Sequence, residues 1–505
     1  MLPRRVPDEI SDRRLVKRQD ANLSMTTNTQ KSVSTEPFIS IRLSICLLCM
    51  AAFTANAQTP VCGDIYGTWA PAGNPYIVTC DATVPSGQTL TIQPGVTVWI
   101  GENVSITANG LIQAVGTPTQ RITFQAPITS QYWSNISCLH ASGTNRFKYC
   151  DFRNADTALR MRIYGGNDTM SIEIMNCSFS NCVSRGIYGE AQGAAGFGWR
   201  QSATLNPMIK NCVFNSTGNG CEIQIYGTYY SAGQYDSYEF GYASPRLIGN
   251  IFNGLTGAAF LMSAGSYAGS GSPIFINNTI VNCRVGVDSQ APWDARVQDN
   301  IFVGTTNAVK TSGSLSRSIG YNCFSANATN FTGYPSTYGN WIIPNRNGTL
   351  SDLSYNFEQD PLFVSASDFH LQADSPCIDA GTPDWAFSDM CFADWVSQGT
   401  SYPDLGVYGG PDAANWLDVV PRLPAQATLS KSNDVIQINW GGIPRSEYRV
   451  QYLASFALAG TNTWLNFPNG KVLATEKPTS LIVATGSSQT NMFFRIQSLG
   501  RTPGN

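Results

Sequence analysis

The chain is short of the side chains that most enzymes use to move protons and stabilise charge. His140 and His370 are the only two histidines in 505 residues, and Asp, Glu, Lys and Arg together make up 13%. Neither sign dominates, with a formal charge of −3, so the basic field that nucleic-acid binding requires is missing. The central region has no Asp-Asp pair, no Asn-Thr-Asp phrase, no Cys-x-x-Cys spacing of a zinc site, no phosphate-cradling glycine loop and no Ser-His-Asp set. Long apolar runs are also lacking. The run from Leu43 to Phe53, broken by Ser44, is too short to span a bilayer. Glycine (46 residues) and aromatics (11%) are plentiful, and both are arranged periodically.

A three-residue signature of Cys or Asn, any residue, then Phe or Ile recurs from Cys150 to Phe324. It reads Cys150-Asp151-Phe152, Cys177-Ser178-Phe179, Cys212-Val213-Phe214, Asn250-Ile251-Phe252, Asn278-Thr279-Ile280, Asn300-Ile301-Phe302 and Asn322-Cys323-Phe324. The apolar anchors are 27, 35, 38, 28, 22 and 22 residues apart, which describes a fixed unit carrying loops of different length. Each unit has an alternating strand before the anchor, a Gly or small residue shortly after it, and a second β-rich run such as Cys221 to Ile225. Units of this kind close a core only by stacking. A coil of about 22 residues made of short strands predicts an all-β fold, a right-handed parallel β-helix solenoid. Coils lie about 4.8 Å apart, so one residue type per coil becomes a column: Phe and Ile an apolar stack, Asn an amide ladder, and Cys a small hydrophobe in the same inward slot. A metal site at Cys150, Cys177 and Cys212 is the competing reading, and the column explains all seven positions without one.

Residues 1–41 are polar and mixed in charge, and the apolar run after Arg42 ends in Thr54-Ala55-Asn56-Ala57. This is the pattern of a secretory signal cleaved before Gln58, with Met25 a second candidate initiator and no lipobox. Removing residues 1–57 takes away eight Lys/Arg and five Asp/Glu, leaving 23 against 29. A mature charge near −6 again argues against nucleic acid as a partner, and no membrane insertion is expected after cleavage. Export permits disulfides. Cys62 with Cys80 and Cys377 with Cys391 are the expected pairs, while Cys138, Cys182, Cys221 and Cys283 fall inside coils, where inward positions are expected.

The phrases Gln88-Thr89-Leu90-Thr91-Ile92-Gln93-Pro94-Gly95-Val96 and Gly110-Leu111-Ile112-Gln113-Ala114-Val115-Gly116-Thr117 resemble the first coils of bacterial secreted right-handed β-helix repeat proteins, the pectate-lyase-like solenoid superfamily. That resemblance implies a solenoid at 58–324 and C-terminal coils with a cap at 325–420. It rests there on Asp360-Pro361-Leu362-Phe363, Asp368-Phe369-His370-Leu371, Ser375-Pro376-Cys377-Ile378-Asp379-Ala380-Gly381 and Asp404 through Pro411. Many relatives carry an Asp-rich, calcium-like loop between the last two phrases. In this chain Asp384, Asp389 and Asp394 are spread among aromatics, whereas calcium wants closely placed oxygens. The spread lends a site there little support, and no metal or other cofactor is assigned. A Pro-containing linker, 421–424, precedes alternating runs in 425–505 that resemble a fibronectin type III-like antiparallel β-sandwich, with Trp440 as core.

The resemblance covers polysaccharide lyases and hydrolases as well as many proteins of unassigned role, and the enzymes place charged groups on the outer face of adjacent coils. The nearest charged cluster is Asp151, Arg153, Asp156, Arg160, Arg162 and Glu173, a pattern that reads as a solvated face. The long loops are richer. Gly193 to Arg200 contains Phe197 and Trp199, Tyr226 to Tyr242 contains seven aromatics, and Tyr267 follows in the next loop. Successive insertions leave a solenoid on one side, commonly its binding face, and aromatic faces suit sugar rings. The ligand-binding candidates are Phe197, Trp199, Tyr229, Tyr230, Tyr235 and Tyr238; a self-packed loop cluster shielding the coil is the alternative. The expected role is a secreted, non-catalytic protein that binds polysaccharide or cell-surface glycan, or acts in adhesion. The other readings are a lyase or glycoside hydrolase and a structural spacer.

Overall fold

The computed structural model describes residues 58–139, 143–232, 235–290, 294–311, 318–389, 397–399 and 402–413, together with the strand backbones 428–432, 435–440, 446–453, 465–473, 479–484 and 493–501. Parallel pairing dominates, in three ladders that run the length of the repeats. The first holds the signature strands, among them Ile122–Gln125, Cys150–Arg153, Ser178–Ser180, Val213–Asn215, Ile251–Asn253, Thr279–Val281, Ile301–Val303 and Cys323–Ser325. The second follows each of these in sequence and includes Thr157–Tyr164, Arg185–Gln192, Asn219–Tyr226, Ala258–Ala264 and Val285–Ser289. The third precedes the next signature and includes Thr144–Lys148, Asp168–Met175, Ala203–Lys210 and Arg246–Ile248. The chain is thus a parallel β-solenoid whose coils each cross three ladders.

Each coil turns at two left-handed residues that bracket the signature strand. Immediately before it come Tyr149, Asn176, Asn211, Gly249, Asn277, Asp299 and Tyr321; after it come Asn154, Asn181, Ser216, Gly254, Asn282, Gly304 and Ala326, all with positive φ. Asn and Gly tolerate that conformation best, so they recur at both corners.

Inside, Phe124, Phe152, Phe179, Phe214 and Phe252 stack face to face with centroids 5.1, 4.9, 4.7 and 4.7 Å apart, close to the spacing between parallel strands. Ile280 interrupts the rings, and Phe302 and Phe324 resume at 5.3 Å. The amide column also forms. Asn250, Asn278, Asn300 and Asn322 each donate from Nδ2 to Oδ1 of the next residue at 2.9–3.0 Å, ending on Asn356, and Asn356 donates to the buried Asp352. Cys212 takes the next position on the other side, its backbone N–H donating to Asn250 Oδ1 at 2.9 Å. Asn and Cys therefore occupy one slot, with Cys150, Cys177 and Cys212 fully or almost fully buried. Burial withholds all three thiols from a reagent; it pushes Cys150 and Cys212 well above the ordinary value, while the hydrogen bonds those two thiols make to Cys177 outweigh its burial and hold it below. A bulky thiol reagent should leave all three unlabelled until the chain is unfolded; rapid labelling of all three in the native protein would contradict their inward placement.

The expected Cys62–Cys80 disulfide is present. Cys138, Cys182, Cys221 and Cys283 are free and buried. The Cys377–Cys391 expectation needs correction at Cys377, a free thiol buried in one apolar cluster with Cys323; Cys391 lies outside the described residues. The cause is the path of the chain after the last coil. Phe331, Tyr334 and Tyr338 pack over Phe324 at its end. The described residues between 360 and 413 then form a strap that doubles back along the outer face of the first ladder. Leu371, Cys377 and Leu405 cover Ile301, Cys323 and Phe357, and Phe369, Val407 and Tyr408 cover Ile251 and Val281. Val407 N–H donates to Thr279 Oγ1 at 3.2 Å, and Asp412 meets Lys210 at 2.8 Å. Asp299, pinned by Thr382 N–H, lies fully buried beneath the strap, and burial raises its carboxyl to about 8.

Among the described residues no helix is long and apolar enough to cross a membrane. The C-terminal strands pair antiparallel in two three-stranded sheets, one of 428–432, 435–440 and 479–484, the other of 465–473, 446–453 and 493–501. Trp440 ends a strand of the first, and its side chain lies outside the described residues.

Candidate ligand-binding face

The charged cluster read from the sequence divides among the ladders, because alternation along a strand and the coil path send its members to different faces. Asp151 pairs with Arg121 at 2.8 Å on the first ladder, Arg160 and Arg162 lie on the second, and Glu173 pairs with Arg146 on the third.

The second ladder gathers a different group. Register places Arg160, Tyr188 and Glu222 in one outward row and Arg162, Glu190 and Gln224 in the next. Glu190 receives Arg160 at 3.5 Å and Arg162 at 3.2 Å, and Glu222 receives Arg185. Both carboxylates are nearly covered, at 8% and 3% exposure. The Arg185 guanidinium lies 4.8 Å from the Tyr188 ring. Tyr188 and Tyr226 hydroxyls both donate to Gln224 Oε1. Burial, helped by Glu190, raises the Tyr188 phenol to about 12 and raises Tyr226 as well, so both remain neutral donors near neutral pH. Glu222 is taken up by Arg185, Asn219 and Gln224, so the covered carboxylates hold the rows in place, and the exposed guanidinium groups of Arg160 and Arg162 are the ones placed to hydrogen-bond a ligand's hydroxyls. The sequence reading missed Glu190 and Glu222, which are 32 residues apart in the chain and are brought together only by coil register. Alternation within Arg185–Gln192 and Asn219–Tyr226 was the available signal.

These strands run directly into the aromatic insertions. Ala194–Gly196 and Trp199–Gln201 form one hairpin, and Thr228–Ala232 and Tyr235–Glu239 form a second. The hairpins adjoin: Ser237 Oγ donates to Trp199 O at 3.3 Å, and the Arg200 guanidinium lies 5.2 Å from the Tyr238 ring. The third insertion joins through Tyr267, stacked on Tyr229 at 5.3 Å. A Cβ on Gly196 would fall 2.4 Å from the Trp199 indole, so the missing side chain is what lets that ring lie over the backbone. Phe197, Trp199, Tyr229, Tyr230 and Tyr238 are 61, 48, 43, 36 and 44% exposed. Tyr235 pairs with Ala232, and its side chain lies outside the described residues.

The rings do not make one flat platform. Tyr229 and Tyr238 are cross-strand partners on one face of the second hairpin, whereas Tyr230 pairs with Ser237 on the other, as a period of two requires. The consequence is a folded aromatic flank beside the polar rows.

A shallow groove of about 370 Å³ lies at the corner ahead of the second ladder, lined by residues including Tyr132, Asn181, Cys182, Thr217 and Thr256; no carboxylate, imidazole or amine lines it. His140 lies outside the described residues. His370 belongs to the strap, bonded to Asp368 at 2.6 Å and stacked on Tyr408. Among the described residues no group of three or more His, Cys, Asp or Glu could hold a metal ion; Asp394 lies outside them.

No family model matches the chain. A stretch of 53 residues, 10% of the chain, is 43% identical to part of Protein bark beetle of Drosophila melanogaster, and the match spans 2% of that protein's length.

Proposed function

We propose that the chain is an exported, right-handed β-helix protein of the bacterial pectate-lyase-like kind that binds polysaccharide or cell-surface glycan without cleaving it, with a fibronectin type III-like sandwich at its C-terminus. Right-handedness follows from the general preference of parallel crossovers. The observation that carries the binding reading is the meeting of exposed rings from three successive insertions with the Glu190 and Glu222 rows. Aromatic faces take the apolar side of a sugar ring, and the fixed polar groups take its hydroxyls.

A glycan array, run beside assays for new reducing ends and unsaturated products, tests this reading. Stacking of bases on aromatics is worth about 1–3 kcal/mol per ring, and sugar stacking is no stronger. Taking the lower end, about 1 kcal/mol per ring, at about 1.4 kcal/mol per tenfold, Trp199→Ala, Tyr229→Ala and Tyr238→Ala should each weaken binding roughly fivefold, and the triple variant roughly a hundredfold, with the unfolding midpoint unchanged. Undiminished affinity in the triple variant would leave the rings a purely structural part. Cleavage of an array hit would move the reading to a lyase or hydrolase, and Glu190 and Glu222 would be the first carboxylates to replace. Silence across the array would favour a spacer.

A further inference from the structure

The strap seats on a carboxyl that no salt bridge neutralises among the described residues. Asp299 stands at the left-handed corner ahead of the Ile301–Val303 strand, with φ of 57°, and is 0% exposed. The strap engages its backbone and one of its oxygens. Gly406 N–H donates to Asp299 O at 2.8 Å, and Thr382 N–H donates to Oδ1 at 2.8 Å. Oδ2 is buried without a hydrogen-bond partner among the described residues. The corner one coil earlier shows what a neutral side chain does at this interface: Asn277 donates through Nδ2 to the strap carbonyls of Asp404 and Gly406, at 3.1 and 3.3 Å. Ionised, Asp299 has no donor to offer. The charged and titratable groups bearing on it are Arg296 and Tyr321 from the coils and Asp384 from the strap. Arg296 is committed elsewhere, its guanidinium 3.0 Å from Asp384 and 4.5 Å from the Phe387 ring, and Asp384 repels a second carboxylate. Burial of an unpaired carboxylate is far less favourable than burial of the acid, and it raises this carboxyl from 3.8 to about 8.

We propose that the strap is a proton-dependent cover, seated while Asp299 carries its proton, so that rising pH lifts it from the last coils with the solenoid beneath still folded. Lifting takes Thr382 and Gly406 away from Asp299 and returns its carboxyl to water, where it ionises. The closed state therefore holds one proton more than the open state between the ordinary carboxyl value and about pH 8. A group raised in the closed state stabilises closure fully below its ordinary range and loses that contribution as pH rises through its raised value. Opening should become about tenfold more favourable per pH unit from roughly pH 5 to 7 and level off above about 8. The strap yields before the coils because of how each is held. Ile301–Val303 is paired on both sides, with Thr279–Val281 and Cys323–Ser325, whereas the strap meets the coils through scattered hydrogen bonds, the Lys210–Asp412 and Arg296–Asp384 pairs and two apolar clusters. Asp389 and Asp404, the other buried strap acids, accept N–H groups of the strap itself, from Gly410, Asp404, Asp379 and Gln398, and move with it. Opening uncovers an apolar strip at Ile251, Val281 and Ile301.

Thiol labelling reads the two parts separately, because Cys377 rides on the strap and Cys212 sits in the column, both free and at 0% exposure. The full chain is labelled with an aromatic disulfide reagent, and each thiol's native rate is divided by its rate in the denatured chain at the same pH, which removes the thiol's own ionisation. Between roughly pH 5 and 7 the protection of Cys377 should fall about tenfold per pH unit more steeply in the wild-type chain than in Asp299→Asn, while Cys212 stays protected in both. Asp384→Asn keeps the oxygen that Ala386 N–H binds, removes the repelling carboxylate and frees Arg296 to face Asp299. It should lower the pH at which the Cys377 profile levels off, and it keeps the test open where Asp299→Asn does not fold. Parallel profiles in the wild-type chain and Asp299→Asn, an unmoved profile in Asp384→Asn, or Cys377 and Cys212 labelled in step would each overturn the proposal.

Discussion

Phe214→Ala should destabilise the solenoid by about 3–5 kcal/mol, the range for removing a fully buried aromatic. The ring is stacked on Phe179 and Phe252 at 4.7 Å on each side and is completely buried. Two stacked pairs are lost, and aromatic pairs are each worth about 0.5–1.5 kcal/mol beyond area. The cavity cannot collapse easily, because ladder hydrogen bonds hold the strands above and below in register. Gly186 also packs directly against the ring, where a Cβ would come within 2.8 Å of it, so no neighbouring side chain is placed to fill the gap. In a stacked array each coil is supported by its neighbours, and a defect in the middle weakens two interfaces at once. Denaturant unfolding should show a lower midpoint with little change in slope. A loss under roughly 1 kcal/mol would mean that Phe214 does not bear on the column.

The solenoid was legible because its physics repeats. One residue per coil stands above its counterpart, so the need for Phe at Phe152, Phe179, Phe214 and Phe252 is written four times, and the left-handed corners at Asn176, Asn211 and Asn277 appear as Asn or Gly at fixed offsets. The strap carried no such signal. Its residues meet outward positions such as Ile251, Thr279 and Ile301, which lie between the conspicuous anchors, and its path is set by contacts between residues more than a hundred apart, as with Asn277 and Asp404. Short sequence separation made Cys391 the natural partner for Cys377; the fold instead buries Cys377 in one apolar cluster with Cys323.

The candidate face was legible in part for the same reason. Loop length and aromatic density pointed to the flank where Trp199, Tyr229, Tyr238 and Tyr267 are gathered. Glu190 and Glu222 passed unnoticed because neither sits in a motif. Each is one carboxylate in an alternating strand, and only the pairing Tyr188 with Glu222 and Glu190 with Gln224 reveals adjacent rows. Division of the tyrosines between two hairpin faces depends on cross-strand register, which aromatic density does not specify.

Asn300→Leu tests the amide column, where the expected loss rivals that at Phe214 for a different reason. Asn300 Oδ1 accepts both the backbone N–H and the Nδ2 donor of Asn278, at 2.8 and 3.0 Å. Its own Nδ2 donates to Phe275 O and to Asn322 Oδ1, at 2.9 and 3.0 Å. All of these Asn side chains lie at 0% exposure, so water cannot replace a missing partner. Leucine keeps the volume but orphans two buried donors and removes one donor from each of two acceptors. An unsatisfied buried group costs about 1–3 kcal/mol, which puts the variant about 3–5 kcal/mol below the parent. The end of the amide run provides an internal comparison. Asn250 Oδ1 accepts only the Cys212 backbone N–H from the preceding coil, because cysteine has no amide to pass on. Asn250→Cys therefore orphans one donor where Asn300→Leu orphans two, and a cysteine already fits that slot at Cys212. Its expected cost is less than half that of Asn300→Leu. Equal losses at the two positions, or a loss under about 1 kcal/mol at Asn300, would show that the column fills space without carrying hydrogen-bond energy along the axis.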